Sequence, residues 1–109
     1  MDIRAVDKNY SVSGQIEERD IATISASGFK TLICNRPDGE DFDQPPHASV
    51  FAAAEAAGLT CHFIPVTSAG LTHENVDAMK LALESAARPI LSYCRSGARS
   101  TKIYQIATQ

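Results

Sequence analysis

The segment 89–107 constrains the fold of this chain more than any other stretch. An apolar run headed by a proline, 89–93, has the pattern of a buried strand, and Cys94 stands at its carboxyl end. Small residues follow as far as Arg99, and the apolar residues of 101–107 then recur at helical spacing. A strand, a tight loop and a helix in this order direct the loop N–H groups and the positive end of the helix dipole to one point. The sequence therefore predicts an anion-binding loop with a thiol at its base.

Cys94 is predicted to be a nucleophile held as a thiolate. The thiolate is the reactive form of cysteine, and N–H donors and neighbouring guanidinium groups lower the pKa of a thiol. Arg95 and Arg99 flank the loop. We expect Arg99 to clamp an oxyanion, because an arginine at a helix start opposes the dipole unless an anion compensates. We expect Arg95 to bind or steer anions from the solvent side.

The other loop residues have predicted roles of their own. Ser96, Gly97 and Ala98 are expected to bind the anion through their backbone N–H groups, and Gly97 permits a positive φ. Ser100 is predicted to hydrogen-bond the Cys94 thiolate, and a helix cap is the alternative.

A second candidate, Arg36, follows the apolar strand predicted at 29–34 and begins a long polar loop. Because the carboxyl ends of parallel strands hold the ligand crevices of α/β folds, we expect Arg36 to line the mouth of an anion-binding pocket. A salt bridge within the loop, to Asp38 or Glu40, is the alternative.

Charge and cysteine usage exclude several classes of function. The chain has 109 residues and a net charge of −3, which gives no general attraction to nucleic acid or to acidic membranes. No apolar run is long enough to span a bilayer. The three cysteines, Cys34, Cys61 and Cys94, lack CxxC spacing, which argues against disulfides and zinc and predicts a cytoplasmic protein without metal or cofactor. Cys34 and Cys61 fall in apolar strands and are expected to be core residues.

Strand and helix patterns alternate along most of the chain, which predicts an α/β fold with a small, mainly parallel sheet flanked by helices. We expect one domain over 1–109, which is also consistent with one module of a longer protein. The predicted strands are 3–6, 10–12, 29–34, 59–66 and 89–93. The predicted helices are 17–26, 47–57 and 101–107, together with a helix that Thr72 caps and Arg88-Pro89 ends.

These residues resemble a bacterial family, the phosphatase-like domains of beta-lactamase hydrolase-like proteins. Four motifs spread over nearly the whole chain carry the resemblance: SGQ at 13–15, CNRPDGE at 34–40, IPV at 64–66 and YCRSGARS at 93–100. The resemblance implies the fold of a compact dual-specificity phosphatase. It also implies an active loop similar to that of rhodanese sulfurtransferases.

The two resemblances imply different reactions, and the length of the loop favours sulfur transfer. Cysteine phosphatases have five residues between the nucleophilic cysteine and the arginine. Here four residues separate Cys94 from Arg99, and Ser100 stands at the phosphatase position. Four is the rhodanese length, and the smaller ring suits a sulfane sulfur.

The absence of a carboxylate at the general-acid position of dual-specificity phosphatases also favours sulfur transfer. Dual-specificity phosphatases have a general acid just after the strand that corresponds to 63–66, where this chain has Thr-Ser-Ala-Gly at 67–70. Loss of a general acid costs about 10²–10⁴ in rate. Asp38, Glu40 or Asp41 is an alternative source, whereas sulfur transfer needs no such acid.

From these residues we expect a sulfurtransferase that carries sulfane sulfur as a Cys94 persulfide between a small-molecule donor and acceptor. The resemblance implies a metallo-β-lactamase-fold persulfide dioxygenase as its partner, and no nucleic acid or membrane partner is expected. Two alternatives stay open. One is a cysteine-dependent phosphatase that cleaves a phosphate ester through a Cys94 phosphocysteine; the other is a non-enzymatic anion-binding or thiol redox-sensing module.

Overall fold

The computed structural model describes residues 1–109 and contains a five-stranded sheet between two pairs of helices. The strands are β1 (Arg4–Asp7), β2 (Tyr10–Ser13), β3 (Thr31–Cys34), β4 (Thr60–Phe63) and β5 (Ile90–Tyr93). The helices are α1 (Ile21–Ala26), which a short 3-10 turn (Glu18–Asp20) precedes, α2 (His47–Ala56), α3 (His73–Ser85) and α4 (Ala98–Ala107).

The strand order is β1-β2-β5-β3-β4, and every pair is parallel except the opening hairpin of β1 and β2. This confirms the predicted mainly parallel α/β sheet. β5 lies at the centre, between β2 and β3, so the carboxyl ends of both neighbours flank the residue that follows it. That residue is Cys94, which places the thiol at the edge where parallel sheets hold their ligands.

Apolar residues cover both faces of the sheet. On one face α3 and α4 pack over β2, β3 and β5, and on the other α1 and α2 pack over β3 and β5. All residues of β3 and β5 are buried. Because both faces of β3 and β5 are buried, the two strands are continuous apolar runs in the sequence. No helix in the structure has the length and apolar character needed to cross a membrane.

Most predicted elements are present, with differences at their ends. The segment predicted as a helix over 17–26 divides into the 3-10 turn and α1, and the strand predicted over 59–66 ends at Phe63. The last helix begins at Ala98, not at 101. The first turn of α4 presents polar side chains at the loop, so apolar spacing could not reveal it.

The burial of β5 leads to a prediction about stability. Leu91 is fully buried at the centre of the sheet, whereas Leu81 lies on α3 with 68% of its surface exposed. We expect Leu91→Ala to lower the free energy of unfolding by about 2–5 kcal/mol, because it removes buried methyl groups and leaves a cavity. We expect Leu81→Ala, the matched control, to change it by less than about 0.5 kcal/mol. Urea denaturation measures both, and equal effects would contradict the assigned orientation of β5.

Candidate active site

The sulfur of Cys94 lies at the carboxyl end of β5, beneath the start of α4. The N–H of Gly97 donates to Sγ over 3.0 Å, and the φ of +98° at Gly97 lets the backbone turn back toward the sulfur. Burial alone would raise the pKa of the Cys94 thiol. The backbone N–H groups of Ser100, Ser96 and Gly97, together with the Ser100 hydroxyl, outweigh burial and lower that pKa. The loop therefore favours the thiolate.

The structure distinguishes the roles expected for the small loop residues. Gly97 is the N-cap of α4, so Ser100 lies in the first turn of the helix and does not cap it. Ser100 is fully buried and its hydroxyl has no hydrogen-bond partner; it acts on Cys94 by helping to lower the pKa of the thiol. The N–H of Ala98 donates to the Ser96 hydroxyl over 3.3 Å. That N–H is therefore engaged within the loop itself.

The thiols of Cys34 and Cys61 differ from that of Cys94 in that burial raises their pKa values. Burial raises the pKa of Cys34 to about 11 and that of Cys61 to about 12. Cys34 packs on the face of the sheet that α1 and α2 cover, in agreement with its expected place in the core. Cys61 is half-buried beside the same cluster. All three cysteines are free thiols, and no group of three or more His, Cys, Asp or Glu side chains is arranged to hold a metal ion.

The SGQ motif supports the loop from β2. The Ser13 carbonyl accepts the N–H of Cys94, and the N–H of Gln15 donates to the Arg95 carbonyl, each over 3.3 Å. A Cβ at Gly14 would lie 2.9 Å from that same carbonyl oxygen, so the close approach requires glycine. Sequence reasoning recognised this motif without a role for it, because the contact joins residues about eighty positions apart.

Arg99 lies next to the sulfur with one end of its guanidinium already bound. Its Nη1 and Nη2 donate to the two oxygens of Glu40 over 2.7 and 2.8 Å, and Nη1 also donates to the Val66 carbonyl over 2.7 Å. The Glu40 carboxylate, chiefly, and the Cys94 thiolate raise the pKa of Arg99. Of the five N–H donors of a guanidinium, Nε–H and one Nη2–H stay free, and they share one edge.

Arg36 is among the residues that line a polar cavity of about 460 Å³ beside the Cys94 loop, with 3% of its side chain exposed. Its Nε donates to Glu40 over 2.9 Å, Nη2 to Asp41 over 2.7 Å and Nη1 to Gln15 over 3.0 Å. The salt bridge to Glu40, which the sequence left as an alternative, is therefore present. These contacts engage all three nitrogens, so Arg36 holds the 35–46 loop in place.

The three carboxylates considered as general acids are all engaged. Hydrogen bonds from Arg99 and Arg36 lower the pKa of Glu40 to about 2, so it carries no proton at neutral pH. Asp38 accepts from the backbone N–H and ring Nδ1 of His47, contacts that lower its pKa against the effect of burial. Asp41 is bound by Arg36 and lies 3.8 Å from the Nε of Arg95.

Arg95 extends away from the thiol. Its side chain is 70% exposed and, together with Gln15 and Asp41, lines a polar cavity of about 460 Å³ beside the loop. Of the two guanidinium groups expected beside the sulfur, Arg99 interacts with the Cys94 thiolate, whereas Arg95 is mostly in solvent.

The ion pairs of Glu40 predict a dependence of stability on pH. A folded-state pKa of about 2, below the ordinary 4.5, means that Glu40 stabilises the fold above pH 4.5 and that this contribution disappears as the pH falls through about 2. We expect Glu40→Gln to lower the urea midpoint near neutral pH, with a difference from wild type that shrinks across this window. Glu84→Gln, at an exposed and unpaired position of α3, is the control. A difference that stays constant down to pH 2 would contradict the assignment.

The chain is similar in sequence to a known protein family. The family model for the phosphatase-like domain of beta-lactamase hydrolase-like proteins matches residues 2–109. A beta-lactamase hydrolase-like protein of Agrobacterium fabrum is 33% identical over 99 residues, which are 91% of this chain and 23% of the relative. The chain thus spans about a quarter of the length of such curated relatives.

Two solved structures have similar folds. A Neisseria meningitidis protein described as a "putative phosphatase" is 35% identical, with a TM-score of 0.84 over 92% of this chain and 71% of that one. The core catalytic domain of the PP-IP phosphatase SIW14 of Saccharomyces cerevisiae is 14% identical, with a TM-score of 0.66 over 87% of this chain and 56% of that one. This second similarity concerns the fold alone. Together they confirm the predicted phosphatase-like fold.

Proposed function

The chain belongs to the family of phosphatase-like domains of beta-lactamase hydrolase-like proteins, and from this premise we propose that it is a cysteine-dependent phosphatase acting on phosphate monoesters. One observation carries the proposal. The edge of Arg99 that Glu40 leaves free, Nε–H and one Nη2–H, has the geometry that binds two phosphate oxygens, and it lies beside a thiolate. The comparisons favour this phosphatase alternative over the sulfurtransferase expected from the loop length.

In the proposed reaction the Cys94 thiolate attacks phosphorus, an S–P bond forms and the ester P–O bond breaks. The free edge of Arg99 stabilises the charge on the phosphoryl oxygens. Water then attacks the phosphocysteine, which releases phosphate and restores the thiolate. Because Cys94 is 0% exposed, the entering oxyanion must displace groups that cover the sulfur.

The leaving group must depart largely unassisted. The segment 67–70 carries no carboxylate, and the carboxylates of Asp38, Glu40 and Asp41 are held by other groups. A leaving oxygen without a general acid departs readily only when its conjugate acid is itself acidic. The proposed substrates are therefore phosphate esters of acidic hydroxyl groups, such as aryl phosphates.

Sulfur transfer is the second candidate, and the four-residue spacing between Cys94 and Arg99 favours it. The Cys94 thiolate would attack the outer sulfur of thiosulfate, so that an S–S bond forms and sulfite departs. The outer sulfur of the resulting persulfide would then pass to a thiol acceptor. Neither half-reaction needs a general acid, because sulfite and thiolates are good leaving groups.

The activity of any longer protein is a separate proposal. Because the chain spans about a quarter of its curated relatives, we propose that 1–109 acts as one module beside a hydrolase part. A metallo-β-lactamase-fold persulfide dioxygenase partner would suit the sulfur-transfer candidate, whose persulfide such an enzyme consumes.

One experiment distinguishes phosphate release from sulfur transfer. We expect the protein to release phosphate from an aryl phosphate, faster than from an alkyl phosphate by about 10²-fold or more, because no general acid assists the poorer leaving group. The same preparation is assayed with thiosulfate and a thiol, and Cys94→Ser is the control for both. Sulfur transfer dependent on Cys94, with a mass gain of one sulfur and without phosphate release, would overturn the phosphatase proposal.

Replacement of Arg99 tests the proposed oxyanion clamp. Arg99→Lys keeps the charge but removes the planar edge, so we expect kcat/KM for the aryl phosphate to fall by about 10²-fold or more. Arg88→Lys is the matched control, because Arg88 contacts the Leu83 carbonyl at the opposite end of β5. Similar activities of the two variants would refute the role of Arg99.

A further inference from the structure

Tyr10 is a buried residue to which the proposed chemistry assigns no role. It lies on β2 with 1% of its surface exposed, and its hydroxyl donates to the Ser100 carbonyl over 3.0 Å. Its ring stacks on that of Tyr104, with 3.7 Å between centroids and an interplanar angle of 8°. A buried tyrosine hydroxyl needs a hydrogen-bond partner. Here the partner is the residue whose N–H and hydroxyl favour the Cys94 thiolate.

β2 contacts both ends of the segment that surrounds the sulfur. At its carboxyl end the Ser13 carbonyl accepts the N–H of Cys94, and at its amino end Tyr10 binds the first turn of α4 through Ser100. The separation between the sulfur and its N–H donors depends on the position of that turn relative to β5. Two contacts from one rigid strand fix this separation.

We propose that Tyr10 is a positioning residue for the Cys94 nucleophile: its hydroxyl holds the first turn of α4, and with it Ser100, in place beside the sulfur. The inference rests on the proposed function only in taking Cys94 as the nucleophile. Tyr10 acts through Ser100 and touches no reacting atom.

The charged and titratable groups around Cys94 come from three elements. Tyr10 faces it from β2 and Arg99 from α4, with Glu40 behind Arg99, and Cys34 on β3 interacts with it through the sheet. Burial, chiefly, raises the pKa of Tyr10, and burial also raises that of Cys34. Both groups therefore stay protonated while Cys94 ionises, so the Tyr10 hydroxyl remains a donor throughout.

The test measures the ionisation of Cys94 in Tyr10→Phe, which removes the hydroxyl and keeps the ring stack. Thiolate ultraviolet absorbance is followed against pH, and the curve of the same protein carrying Cys94→Ser is subtracted. We expect the midpoint to rise by about half a pH unit or more, because the thiolate loses part of its hydrogen bonding. Thermal melting confirms that the variant is folded.

Tyr104→Phe is the matched control, since it removes the hydroxyl of the stacked partner ring, which binds Asp7 instead. Amide hydrogen exchange in the first turn of α4 gives a second readout, and we expect it to accelerate in Tyr10→Phe alone. An unshifted Cys94 midpoint in folded Tyr10→Phe, or an equal shift in both variants, would overturn the inference. The titration uses no substrate, so a shifted midpoint in a protein without phosphatase activity would refute the proposed function alone.

Discussion

A buried sulfur anion needs hydrogen-bond donors in place of water, and the edge of the sheet around Cys94 is organised to supply them. The positive φ of Gly97 turns one N–H onto the sulfur, and the first turn of α4 brings the donors of Ser100. β2 holds both parts through Ser13 and Tyr10. Without these contacts burial would raise the pKa of Cys94, as it raises those of the other two thiols.

The second requirement is a cation beside the sulfur whose orientation is fixed before an anion arrives. Glu40 binds one end of the Arg99 guanidinium, and Arg36 in turn holds Glu40. Glu40 therefore neutralises part of the positive charge while it leaves the second edge of Arg99 free. Because two guanidinium groups match the charge of Glu40, an acidic residue at this position is compatible with the proposed anion site.

The sequence and the comparisons favour different reactions. The four-residue spacing and the missing acid both favoured sulfur transfer, yet the matched family and the fold favour a phosphatase. Loop length is a local property, and it does not report which donors of Arg99 are free. Whether Asp38, Glu40 or Asp41 supplies a general acid stayed open for a similar reason. Their partners, His47, Arg99 and Arg36, could not be assigned from spacing.

The sequence by itself determined the order of strands and helices, the parallel sheet and the position of Cys94 at the end of a buried strand. These follow from apolar periodicity and from glycine and proline, which act over a few residues. Only the tertiary structure decided that Arg36 supports Glu40, that Arg95 extends into solvent and that Tyr10 contacts Ser100. Those contacts join residues distant along the chain, and they depend on which strand ends the sheet places side by side.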